Sequence, residues 1–147
     1  MADVLKHQGN FHWKGVEVLD YKNEGTHFQS VTRQILSKGH HELPAELRYF
    51  EIAPAGYSTL ERHEHEHLIV VLKGRGQALS GAEIVTLDPF DVVRIPSAVW
   101  HQFRASRGEP LGFLCLVHKD RDRPQRPEVE QLAQLQSDPV IAAFVRS

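Results

Sequence analysis

Residues 47–117 alternate short β-prone runs with turns marked by glycine or proline, and nothing in that stretch has the length and period of an amphipathic helix. The run LRYFEIA at 47–53 is expected to stop at Pro54-Ala55-Gly56, and HLIVVLK at 67–73 at Gly74-Arg75-Gly76. Further strands are predicted at 77–80, 83–87, 91–95, 100–104 and 111–117, separated by turn residues such as Asp88-Pro89 and Gly108-Glu109-Pro110. With no helices to carry crossovers, a βαβ fold is disfavoured. The pattern predicts an all-β fold, an antiparallel sandwich or barrel.

The flanks differ in character. Residues 1–46 read as N-terminal extended segments, with strands expected at 11–21 and 28–36 that can serve as edge strands or pair with a second copy in a homodimer. Residues 47–118 form the barrel core, and 119–147 a proline-rich connector and short helix. The connector DRDRPQRP is expected to leave the barrel exposed. Pro127 suits a first helical turn, with Glu128 and Glu130 placed against the helix dipole. Val129, Leu132 and Leu135 supply an apolar face, Asp138-Pro139 interrupts it, and 141–145 add one more turn that packs on the barrel or a partner.

Composition narrows the function classes. A net charge of -2 leaves no basic footprint for nucleic acid or a membrane surface. No run approaches the ~20 apolar residues of a membrane span, and MADVLKHQGN lacks the apolar core of a secretory signal. Cys115 is the only cysteine, which excludes an intrachain disulfide and favours a cytoplasmic setting. Within LGFLCLVH it is expected to be a buried filler.

The chemistry concentrates in ERHEHEHLIVVLKG, residues 61–74, where three histidines fall within five positions. Imidazole is neutral near pH 7 and binds borderline metal ions. Side chains at i and i+2 of a strand share a face about 6.5 Å apart, whereas i and i+4 stand about 13 Å apart and cannot share an ion. His63 and His67 can therefore meet only if the chain turns between them, and the polar Glu64-His65-Glu66 favours that turn. Glu61 and His63 on one side and His67 at the start of the next strand then surround one point. His101, in IPSAVWHQF, is the candidate fourth donor, with Trp100 and Phe103 as apolar surroundings.

This arrangement resembles the cupin family of small jelly-roll barrels, whose motifs read G-x5-H-x-H-x3,4-E-x6-G and G-x5-P-x-G-x2-H-x3-N. Counted back from Gly74, the glutamate position falls on His67, the two histidine positions on Glu61 and His63, and the leading glycine on Ala55. In the second motif the glycines fall on Phe90 and Ala98, the proline on Pro96, the histidine on His101 and the asparagine on Ala105. The resemblance implies a double-stranded β-helix barrel with a short C-terminal helical tail. It also implies one divalent transition metal ion (Fe, Mn, Ni or Zn) on Glu61, His63, His67 and His101, the family's inventory with two donors exchanged. His65 is left either beside the ligands or as a ligand in place of Glu61 or His67.

Cupins include oxygenases and isomerases as well as storage and sugar-binding proteins, so the resemblance implies a metal-binding protein for a small polar or anionic molecule. A metal-dependent enzyme is the leading expectation and a non-enzymatic small-molecule-binding or structural barrel the alternative. On residues 47–53, either Arg48 and Phe50 or Tyr49 and Glu51 face inward, and period two alone leaves both open. Arg104 is open between a substrate carboxylate and solvent. His27, His40, His41 and His118 carry no partner pattern.

Overall fold

The structure, a computed structural model, describes residues 2–21 and 27–147. In chain order the elements are β1 (Leu19–Asp20), β2 (Gln29–Ser37), β3 (Ala45–Tyr57), β4 (His67–Gly74), β5 (Gly76–Ser80), β6 (Glu83–Leu87), β7 (Val92–Ile95), β8 (His101–Ala105), β9 (Leu111–His118), α1 (Val129–Leu135) and α2 (Pro139–Phe144). All strand pairs are antiparallel. The sheet runs β6-β5-β8-β3-β9-β4-β7, with β2 joined to β3 and β1 to β2, and curls into the expected jelly-roll form. No helix among the described residues is long and apolar enough to cross a membrane.

Register decides which side chains face inward. Arg48 of β3 lies opposite Cys115 of β9, and Cys115 opposite Ile69 of β4. Directly opposed residues share a face, so this row and the next, Phe50, Phe113 and Val71, line the interior together. Ile52, Leu111 and Phe103 continue the same buried cluster. Arg48 and Phe50 are thus the inward pair and Tyr49 and Glu51 the outward one. Glu51 accepts from Tyr49 Oη and from Lys73 Nζ, each at 2.9 Å, on the outer side.

Both chain ends cover that outer side. Phe11 stacks on Tyr49 with ring centroids 5.5 Å apart, and Trp13 packs beside it at 5.4 Å. On the far side Ile141, Phe144 and Val145 pack against Leu60 and Leu79. Asp138 caps α2 by accepting from Val140 N at 2.8 Å, and Pro139 fills its first turn. Gln102 is buried and holds the C-terminal backbone, donating to Arg146 O at 2.7 Å and accepting from Arg146 N at 2.9 Å. Arg104 Nη1 donates to Phe144 O at 2.7 Å, so it serves the tail.

Four expectations change. The strand expected to stop at Pro54 continues to Tyr57 as β3, because it exchanges partners there, from β9 up to Ile52 to β8 at Tyr57. Ala55 at φ 64 supplies the kink, which is where a proline without an N–H is tolerated in a sheet. The strand expected at 11–21 shrinks to Leu19–Asp20; Asn10 and Phe11 take positive φ, and the segment is anchored by Gln34 Nε2 donating to Phe11 O at 2.8 Å. The connector does not leave the barrel. Arg62 and Gln125 exchange backbone hydrogen bonds of 3.0 and 2.8 Å, and Arg121 donates to Glu46 at 3.0 Å, so residues 119–126 lie across it as a strap. Val129 is 85% exposed and contributes nothing to the tail's apolar contact.

Ala55, Phe90 and Ala98, which stand where the motif pattern has glycine, have φ of 64, 72 and 62. The turns have kept the backbone shape and lost the residue that adopts it most easily, at a cost of roughly 1–2 kcal/mol each. Gly74 has φ +71, and a Cβ there would overlap the Pro110 carbonyl oxygen. Urea denaturation is expected to show Gly74→Ala losing more than about 2 kcal/mol, with the exposed Phe90→Gly unchanged or gaining up to about 1 kcal/mol. Phe144→Ala is expected to cost about 3 kcal/mol through loss of tail packing; a tail docked only loosely would lose under about 1 kcal/mol.

Candidate metal centre

Four parts of the chain build the site. Glu61 forms a backbone bridge with His101, its N–H donating to His101 O at 3.1 Å and its carbonyl accepting from His101 N at 2.9 Å. Both side chains are buried. The chain bends at Glu64-His65, so His67, which opens β4, comes back to His63. The bend is clamped from the strap: Asp122 accepts from Glu64 N at 2.8 Å and His65 N at 3.0 Å, and lies 2.7 Å from His65 Nδ1. Ala98 N, in the turn before β8, donates to His63 O at 2.8 Å. These backbone bonds from Glu64 and His65 pull the Asp122 carboxyl well below the ordinary carboxylate range.

His63, His67 and His101 each present a donor atom, and the three atoms lie within 4.8 Å of one another. His63 Nδ1 donates to His65 O at 2.6 Å and His101 Nδ1 to Val99 O at 3.0 Å. A carbonyl can only accept, so the proton of each neutral ring sits on Nδ1 and Nε2 keeps its lone pair. His63 Nε2 stands 2.7 Å from His67 Nε2, and His101 Nε2 is buried without a hydrogen-bond partner. On its other side His67 Nδ1 is 2.9 Å from Cys115 Sγ, to which Arg48 Nη2 donates at 3.2 Å. With the His63 proton on Nδ1, His67 Nε2 donates to His63 Nε2, and an ion binding at this point would take the place of that one proton. Converging nitrogens with the second nitrogens held from behind are what an imidazole metal site requires. The residues fit a transition metal ion.

His65 stands outside this triplet. Its ring stacks on His63 with centroids 3.6 Å apart and planes 5° apart, and Asp122 holds its Nδ1. Glu61 lies outside the mutually close triplet as well; it borders the histidines from the His101 side.

The histidines separate two spaces. Inside lies a largely apolar recess of about 40 Å³, walled mainly by Phe50, Ile52, Ile69, Phe103 and Phe113, with Glu61, His67 and His101 on its polar side. Outside is a cleft of about 400 Å³ whose wall joins His63, His65 and His67 to Arg33, Arg48, Arg121, Arg123 and Arg126. Trp100 lies with the tail: its ring is covered by Arg62 at 4.6 Å and packs on the α2 cluster.

The sequence singled out all three clustered histidines. It left Arg48 open as one of two inward-facing alternatives and missed the site roles of Cys115 and Asp122. Cys115 and Arg48 reach the site only through the β3-β9-β4 register, and Asp122 only because the strap folds back. No local spacing signals either.

The sequence profile of the cupin domain, Cupin_2, matches residues 48–117. A 1-methylthio-D-xylulose 5-phosphate methylsulfurylase of Rhodospirillum rubrum is 51% identical over 139 residues, 94% of this chain and 88% of that protein. The chain belongs to the cupin family. Among solved cupins, a cupin 2 conserved barrel domain protein from Rhodopseudomonas palustris superposes with a TM-score of 0.93 at 45% identity, covering 99% of this chain and 100% of that one. A cupin-2 domain from Rhodospirillum rubrum gives 0.86 at 50% identity, covering 94% and 93%.

Burial sets the titration of this cupin's histidines. It lowers His63 to about 4, with His65 adding to the effect, and His101 to about 4, with His63 adding. His67 is pushed well down by burial, then by His101 and His63. Between the unfolded value near 6.5 and about 4, the unfolded chain takes up protons that the folded chain refuses. Stability from these groups is complete above 6.5 and is lost as pH falls through that window. The melting temperature of the metal-free protein is therefore expected to drop steadily from about pH 7 to about pH 4.5. A flat profile in calorimetry would contradict the buried neutral cluster.

Proposed function

We propose that this cupin is a metal-dependent enzyme acting on a small anionic molecule, and that its substrate is a 1-methylthio ketose 5-phosphate. The observation that carries this reading is the 51% identity, along 94% of the chain, with the methylsulfurylase of Rhodospirillum rubrum. That near-full-length identity favours carbon–sulfur chemistry over the oxygenase or isomerase chemistry expected from the family resemblance. Two histidines of the triplet, His63 and His67, line the arginine-bearing cleft, which supports the same reading because it joins a metal site to an anion's surroundings.

In this reading His63, His67 and His101 hold a divalent Fe, Mn, Ni or Zn ion, and Glu61, backbone-paired to His101, supplies the carboxylate of the set. Such an ion, when bound, supplies a Lewis acid for the carbonyl oxygen of a ketose. The protein's own groups do the positioning. The carbonyls of His65 and Val99 keep two rings in the tautomer that points a lone pair inward. The Asp122 clamp fixes the bend that makes His63 and His67 neighbours. The largely apolar recess behind the histidines gives the inner side few polar groups to hold water.

Protein purified without a histidine tag, reconstituted with each metal in turn and given 1-methylthio-D-xylulose 5-phosphate and a small thiol, is expected to yield by mass spectrometry a 1-deoxy sugar phosphate, hydrogen replacing the methylthio group on carbon, together with the mixed disulfide of that methylthio group and the thiol. His63→Ala and His101→Ala are each expected to lose most of the bound metal and at least about 100-fold in conversion. Unchanged stoichiometry in both variants would show the ligands to be wrong. Binding below about 0.1 equivalent with every metal would remove the metal reading altogether. A metal-loaded protein that converts nothing would instead be a binding barrel.

A further inference from the structure

The cleft outside the histidines gathers positive charge from three separate parts of the chain. Arg33 comes from β2, Arg48 from β3, and Arg121, Arg123 and Arg126 from the strap, with Glu61 the one carboxylate on the same wall among the described residues. Glu46 lies just behind and serves two of the five: it accepts from Arg121 at 3.0 and 3.3 Å and stands 3.6 Å from Arg48 Nε. Counting Asp122, which holds His65 from between Arg121 and Arg123, five guanidiniums against three carboxylates leave an excess of two positive charges around the cleft among the described residues.

Two of these arginines are also incompletely satisfied. Arg48 is 6% exposed, and its buried Nε has no hydrogen-bond partner. Arg33 Nε is likewise buried without a hydrogen-bond partner among the described residues. A buried guanidinium N–H that makes no hydrogen bond is costly even with a carboxylate 3.6 Å away, as Glu46 is from Arg48, and like charges facing one another across a cleft add to that cost. A bound anion offsets both. Guanidinium forks match a tetrahedral oxyanion, and a doubly charged group answers the excess better than a single carboxylate does. The strap is held at Asp122 and Gln125 and Arg121 is held by Glu46, so the backbone that carries the three arginines is fixed beside the cleft before any ligand arrives.

We propose that this arginine-lined mouth seats the phosphate of a sugar monoester and thereby orients the ligand, its far end at the histidine triplet. This deepens the ketose-phosphate reading and rests on it. The seat fixes direction: phosphate outward against the strap, the ketose end at the histidines. The apolar recess of about 40 Å³ beyond them has room for a small apolar group of a few heavy atoms.

Binding, not turnover, tests the seat. Calorimetric titration of metal-free and metal-loaded protein with D-xylulose 5-phosphate and with D-xylulose is expected to show the phosphate ester binding at least tenfold more tightly in both forms, with affinity falling as salt rises. Arg33→Met and the exposed Arg123→Met are each expected to weaken the ester at least tenfold, with metal content unchanged and the melting temperature not lowered. Equal affinity for ester and free sugar would overturn the proposal. So would wild-type ester binding in both variants, or ester binding abolished by metal removal alone, which would put the phosphate on the ion. Because conversion is not read, tight ester binding without methylthio loss would defeat the proposed reaction and leave the seat standing.

Discussion

The hydrogen bonds that Asp122 accepts from Glu64 and His65 hold the bend on which the metal centre depends. Donors four residues apart in an extended chain stand about 13 Å apart, too far for one ion. The bend brings the Nε2 atoms of His63 and His67 to 2.7 Å. The anchor comes from the strap beyond β9, far along the sequence, so the closest pair of donors is set by a tertiary contact. The same strap carries three of the arginines that face the cleft. Positioning the histidines and charging the mouth are therefore one structural event.

The sheet can accommodate this polar interior because its other demands are met elsewhere. β3 is buried on both sides: Arg48, Phe50 and Ile52 face inward, while Tyr49 is covered by Phe11 and Trp13 from the N-terminal segment. The outer face of β5 and β8 is closed by α2 through Leu79. The termini seal the outside, and the apolar cluster at the inner end of the barrel leaves the histidine end free for charged groups. Arg48 illustrates the compromise, with its guanidinium over Phe50 at 4.9 Å and its Nη2 on Cys115.

Much of the fold was legible because strands and turns announce themselves locally. The β-branched and aromatic runs at β4 and β9 and the glycines around residue 74 needed no long-range information. The exceptions are instructive. Pro54 was read as a stop, yet it lies where β3 changes partner. Ala55, Phe90 and Ala98 lack the glycine that signals a left-handed turn and adopt one regardless, since the surrounding sheet dictates the backbone. Of the site, the histidines were visible as residues of a metal-binding type. Cys115 resembled ordinary core because nothing in LGFLCLVH reveals a neighbour across the sheet.

The sequence by itself determined the set of strands, the absence of a helical layer between them and the inventory of imidazole donors. Each of these follows from residue type and spacing along a few neighbouring positions. Only the tertiary structure decided which face of β3 points inward, which histidines meet, and that five scattered arginines share one cleft with them. In an extended strand a side chain's direction is known only relative to its neighbours. Its absolute direction is fixed by pairing between strands distant in sequence, here Arg48 with Cys115 and Cys115 with Ile69.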